Sequence, residues 1–142
     1  MHLHSQSSSL LVVTGSLCLM LALALAWCLV GVRSAAALKT LFPSYQNLLK
    51  AHIDYLMMTG LLMIFFLLCA HFAVAPPPLV VMAMCIGSMM NPVGFIALAM
   101  KPDLRQHPAS PFGLVMAASF TLTTIGYAGA AWSVGAAALF TW

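Results

Sequence analysis

The chain has 142 residues, 63% of them hydrophobic and 5% charged, with a formal net charge of +3. A soluble domain carries about a quarter charged residues, so this chain cannot cover its surface with polar groups and its main solvent is lipid. Five Lys and Arg spread along the sequence make no basic cluster for a nucleic acid. Glu is absent and Asp54 and Asp103 stand far apart, which leaves hydrolysis by a carboxylate pair unsupported.

Four spans are expected, at about 10–32, 53–75, 79–100 and 112–140, each long enough for the roughly 20 apolar residues that cross a bilayer. Lipid requires backbone groups to be satisfied internally, which favours helices, and no segment shows the alternation of a membrane barrel. The fold class is therefore all-α, an integral membrane four-helix bundle forming a single domain over 1–142. No Ser/His/Asp motif, phosphate loop or dinucleotide fingerprint is present.

Residues 1–9, "MHLHSQSSS", read as a polar tail that frays; His2 and His4 offer at most a stray metal contact. The first span is nearly featureless Leu, Val and Ala. Small residues come after its core, as at a signal-peptide cleavage site. Its n-region has no Lys or Arg and its core is too long, so a retained span is expected.

The stretch 33–51 is the longest connection. Pro43 breaks the segment before it and Ser44 is placed to cap the next helix, so the second helix is expected from about Tyr45 to residue 75. Such a helix measures ~46 Å against a hydrocarbon core of ~30 Å, so its first turns stand in the interface. Lys50 and Asp54 sit there at i,i+4 and are expected to pair weakly.

Pro76, Pro77 and Pro78 stop the second helix and turn the chain into the third. That helix carries Asn91 and Pro92 deep in an apolar run. Pro92 is expected to kink it. Asn91 needs a partner, on a neighbouring helix or in a cavity. Pro111 suits the start of the fourth helix. Gly129, Ser133 and Ala137 make a small-residue ridge that allows close helix approach, within a subunit or between subunits. Cys18, Cys28, Cys69 and Cys85 match no zinc or redox spacing and read as packing groups, as do the many Met.

Charge placement predicts orientation. Arg33, Lys39 and Lys50 lie between the first and second spans, and Lys101 and Arg105 between the third and fourth. The positive-inside rule puts loops 33–51 and 101–111 in the cytoplasm of a bacterial-type inner membrane and both termini outside.

His52, His71 and His107 remain. His52 and His71 lie ~28 Å apart along one helix, too far to share a metal, and His107 sits in a loop. His52 reads either as an interfacial anchor or as an axial ligand of haem iron in an apolar helical sleeve. One position per turn along its face gives Leu56, Thr59, Met63 and Phe66, with Tyr55 flanking.

The segment "KAHIDYLMMTGLLM" opening the second helix, with "IGSMMNPVGFIAL" in the third, resembles the styrene oxide isomerase family. The likeness covers about residues 50 to 100. It implies a small four-helix membrane enzyme, assembled as a homotrimer, that holds haem b near a subunit interface through the histidine matching His52. Ferric iron there acts as a Lewis acid on an epoxide, which rearranges to an aldehyde without net redox change.

The resemblance makes His52 the metal ligand; Leu56 and Met63, on the helix face they share with it, are the expected neighbours of the cofactor. Asn91, Tyr55 and Thr59 are the candidate polar groups for a small apolar substrate. Two family positions depart: an Asn after the histidine is here Met58, and a Tyr after Val-Gly-Phe is here Ile96. Tyr127 is a second candidate phenol besides Tyr55. A haem-binding sensor or redox protein without isomerase activity, and a non-enzymatic four-helix protein, are the alternatives.

Overall fold

The computed structural model describes residues 2–104 and 109–140, the first of these, 2–8, as backbone only. Arg105 and His107 lie outside the described residues. The side chains of His2 and His4 do as well. Among the described residues five helices run in order: α1 His2–Ser34, α2 Ala36–Leu41, α3 Tyr45–His71, α4 Pro78–Met100 and α5 Pro111–Phe140. Four of them, all but α2, are long and apolar enough to cross a membrane, and the chain is a multi-pass all-α membrane protein.

The four long helices run up and down. α3 packs on α1 and α4, α4 packs on α5, and α1 lies diagonally against α4. The pairs His52–Ala22 and Thr59–Gly15 make α1 and α3 antiparallel. Asp54–Asn91 and Tyr55–Met89 do the same for α3 and α4. The core is filled by Leu48, Tyr55, Leu62, Val81 and Met84, each under 2% exposed. Outward faces carry Leu17, Met20, Trp27, Ile64, Leu79 and Phe120, all exposed, as lipid requires.

α4 and α5 approach most closely where glycine removes the side chain. A Cβ at Gly87 would lie 2.5 Å from Thr123 Oγ1 and 2.6 Å from its backbone nitrogen. One at Gly126 would run into the Met84 backbone. Gly129, from the expected ridge, meets the Val80 side chain of α4, and the Ser133 hydroxyl donates back to the Gly129 carbonyl at 2.9 Å. That part of the ridge thus works inside the chain.

Several expectations are corrected. α1 begins at His2, because "HLHSQSSS" contains neither Pro nor Gly to interrupt a helix already propagating from residue 10. The 33–51 connection contains the short helix α2, whose residues are all outside the core.

α3 ends at His71, one turn before residue 75. Ala73 takes φ 51°; Val74 N–H donates to the Cys69 carbonyl at 2.9 Å, and Ala73 N–H to Ala70 at 3.4 Å. This is the Schellman pattern, with alanine in the place glycine usually fills. Ser44 does precede α3, but its hydroxyl makes no cap. Its backbone N–H instead donates to the Ala99 carbonyl at 3.2 Å. Pro92 lies buried inside α4, which continues past it to Met100. Pro111 opens α5 as expected, and Ser110 Oγ accepts the Gly113 N–H at 3.0 Å, an N-terminal cap.

Arg33 lies in the last turn of α1, Lys50 in the second turn of α3, and Lys101 directly after α4. The antiparallel order brings them to one end of the bundle, with Lys39 of α2. There Arg33 Nη2 donates to the Tyr45 hydroxyl at 3.1 Å and its guanidinium stands 5.4 Å from the ring centroid. This cation–π contact ties the end of α1 to the start of α3.

Candidate functional site

α3 carries most of the candidate residues and distributes them over two seams. A helix turns roughly 100° per residue, so His52 and Asp54 stand on opposite flanks. The α1 seam receives His52, Thr59 and Met63. The α4 seam receives Asp54, Tyr55 and Met58.

His52 is half-buried. Its Nδ1 lies 2.8 Å from the backbone carbonyl of Ala22 on α1. A carbonyl oxygen only accepts, so Nδ1 carries the proton and Nε2 holds the lone pair. Nε2 makes no hydrogen bond among the described residues and is not sealed off inside the protein. A histidine with Nδ1–H on a backbone carbonyl has the tautomer and fixed ring seen when Nε2 binds a metal. Around it Leu49, Ile53 and Leu56 are exposed on the outer face of α3, giving an apolar rim.

Thr59 and Met63 are not an open wall beside His52. The Thr59 hydroxyl donates to the Tyr55 carbonyl at 2.9 Å and lies 3.4 Å from the Gly15 carbonyl of α1. The Met63 methyl packs on Gly15, 2.9 Å from where a Cβ would stand. Tyr55 is 1% exposed and turns away from this seam, its hydroxyl donating to the Met89 carbonyl of α4 at 3.2 Å.

The expected Lys50–Asp54 pair is absent. Lys50 is exposed, whereas Asp54 points inward and accepts a hydrogen bond from Asn91 Nδ2 at 2.9 Å. Two flexible side chains at the interface gain little from pairing. An Asn amide inside the span has no water to turn to and takes the carboxylate. Asn91 is thus an interhelical tie.

One turn away, the Tyr127 hydroxyl from α5 meets Ser88 Oγ at 2.8 Å and reaches the Met58 sulfur at 3.9 Å. Its ring rests on Phe65, 5.6 Å between centroids. Ser88 is a polar member of this seam that the sequence marks only by the Gly-Ser pair in α4. Tyr127 therefore lies on the α4 seam, in contact with the Met58 that departs from the family pattern.

His71 is exposed at the far end of α3, edge-on to Phe72 with centroids 4.8 Å apart. Cys18 packs against the Met89 sulfur at 3.5 Å, and all four cysteines are free. Among the described residues no group of three or more His, Cys, Asp or Glu converges as a metal site. A porphyrin, which brings four nitrogens of its own, needs one axial side chain.

No protein-family model, curated protein or solved structure matches this chain.

Proposed function

We propose that this chain is a haem-b-binding membrane protein of the styrene oxide isomerase type, acting on a small apolar epoxide. One observation carries the reading: His52 has its Nδ1 proton held by the Ala22 carbonyl and its Nε2 free at an apolar rim. The donor fits an axial ligand, and Leu56, exposed one turn on, is the neighbour assigned to the porphyrin edge; Met63, three turns on and packed against Gly15, is not. Ferric haem so held supplies a Lewis acid for an epoxide oxygen, with rearrangement to a carbonyl compound and no net redox change.

The protein's part is to fix the imidazole, keep water away with apolar side chains, and orient the substrate oxygen. Among Asn91, Tyr55 and Thr59, the two hydroxyls have their protons committed to the Met89 and Tyr55 carbonyls. Asn91 spends one amide proton on Asp54 and has a second, so Asn91 is the group assigned to the substrate oxygen.

His52 and Asn91 occupy opposite seams of α3. The homotrimer belongs to this proposal only as what the resemblance implies. The remaining topology belongs to the same proposal: a bacterial-type plasma membrane, with loops 33–51 and 101–111 in the cytoplasm and both termini outside.

A haem-binding sensor or redox protein is the second reading. Met58 and Ile96 favour it, since they replace the polar groups of the family pattern. The two separate when aryl and alkyl epoxides are given to haem-loaded protein. Aldehyde production supports the isomerase, and its persistent absence with haem present supports the sensor. If no haem is retained at all, both fail and His52 is an anchor between α3 and α1.

A further inference from the structure

The α4 seam holds oxygen atoms without enough donors. Asp54 is the only acidic residue inside the four spans. Its one hydrogen bond among the described residues comes from Asn91. No Lys, Arg or His forms an ion pair with it there, and Lys50, one turn earlier, is exposed. A carboxylate in an apolar span with a single neutral donor is poorly compensated.

Three more oxygens belong to this level. Pro92 has no N–H, so the Ser88 carbonyl lacks its i+4 helical donor. Asn91 Oδ1 has no donor among the described residues. Ser119 on α5 is 0% exposed, and its Oγ is the one buried side-chain oxygen or nitrogen without a partner among the described residues. The Gly87–Thr123 contact fixes the register of α4 and α5. One turn along from it, Ser119 comes opposite Asn91. The unpartnered hydroxyl thus comes from α5 to the same level as the Asp54–Asn91 pair.

We propose that Asp54, Asn91 and Ser119, with the Ser88 carbonyl, form a site for a small monovalent cation inside the membrane. Hard oxygen donors suit an alkali cation. A single carboxylate neutralises one positive charge, whereas a divalent ion would leave a net charge in the span. The carbonyl released at a helix irregularity is the kind of group that coordinates such ions in membrane proteins. The site ties α3, α4 and α5 together and does not rest on the haem reading.

The test is thermal unfolding of the purified full chain in detergent at fixed pH and ionic strength, in Na+, K+ or N-methyl-D-glucamine chloride, with 22Na+ retention measured in parallel. Na+ should raise the midpoint saturably over N-methyl-D-glucamine, and 22Na+ should be retained. Ser119→Ala should raise the Na+ concentration for half the effect by about tenfold, through the loss of one ligand oxygen. Asp54→Asn should abolish both responses, while Lys50→Gln keeps them. Equal midpoints in the three salts would overturn the proposal. So would a Na+ response that survives Asp54→Asn and Ser119→Ala, or a stability that tracks pH alone, which would assign Asp54 a proton instead.

Discussion

Asn91 reaches from α4 to α3 and donates to the Asp54 carboxylate at 2.9 Å. The pair joins the motif that opens α3 to the motif in the middle of α4, the two segments on which the family resemblance rests. It also places the carboxylate on the flank opposite His52. α3 therefore carries an imidazole on one seam and a carboxylate on the other.

The seam predicts coupling. Asn91→Leu leaves the Asp54 carboxylate without its donor and should destabilise by about 1–3 kcal/mol. Asp54→Leu alone should cost a similar amount. The double variant should cost clearly less than the sum, because neither partner is then stranded. Reversible unfolding in detergent of the four proteins measures this; additive losses would mean the pair is not energetically joined.

Glycine positions should differ in sign. Gly126→Ala puts a Cβ against the Met84 backbone, which cannot yield like a side-chain tip, and should cost about 1–3 kcal/mol. Gly60 has nothing within 4 Å of a built Cβ and lies in mid-helix, so Gly60→Ala should stabilise by about 0.5–1 kcal/mol. Unfolding midpoints of the two variants check the contrast.

The end of α3 makes a third case. Ala73 holds φ 51° where glycine has no steric cost. Ala73→Gly should therefore stabilise by about 1 kcal/mol, against the usual direction for that change. A lower midpoint would mean that the left-handed turn is not retained in solution.

Much of the fold is legible in the residues, and the failures have physical causes. The last two spans, expected at about 79–100 and 112–140, are found as Pro78–Met100 and Pro111–Phe140, because prolines mark their starts. The second helix is shorter than its hydrophobic run suggests, since nothing marks Ala73 as the residue that turns left-handed. α2 is hidden in an Ala-rich connection without a hydrophobic period.

Asp54 escapes a reading of the sequence for a more general reason. Pairing at i,i+4 is visible within one helix, whereas the partner that wins lies on another helix 37 residues on. His52 stands out by its chemistry, but its hydrogen bond to Ala22 is a backbone contact, and no side-chain pattern encodes it. Ser119 is legible only as a small residue. Its lack of a partner exists only in the packed structure.

The assignment of His52 Nε2 as the axial ligand of a haem carries the proposed function. Its most direct test is the visible spectrum of protein purified in detergent after expression with ample haem. The wild-type chain should show a Soret band, lost or strongly shifted in His52→Ala and unchanged in His71→Ala. A wild-type protein without the band, or a band that survives His52→Ala, would contradict the assignment.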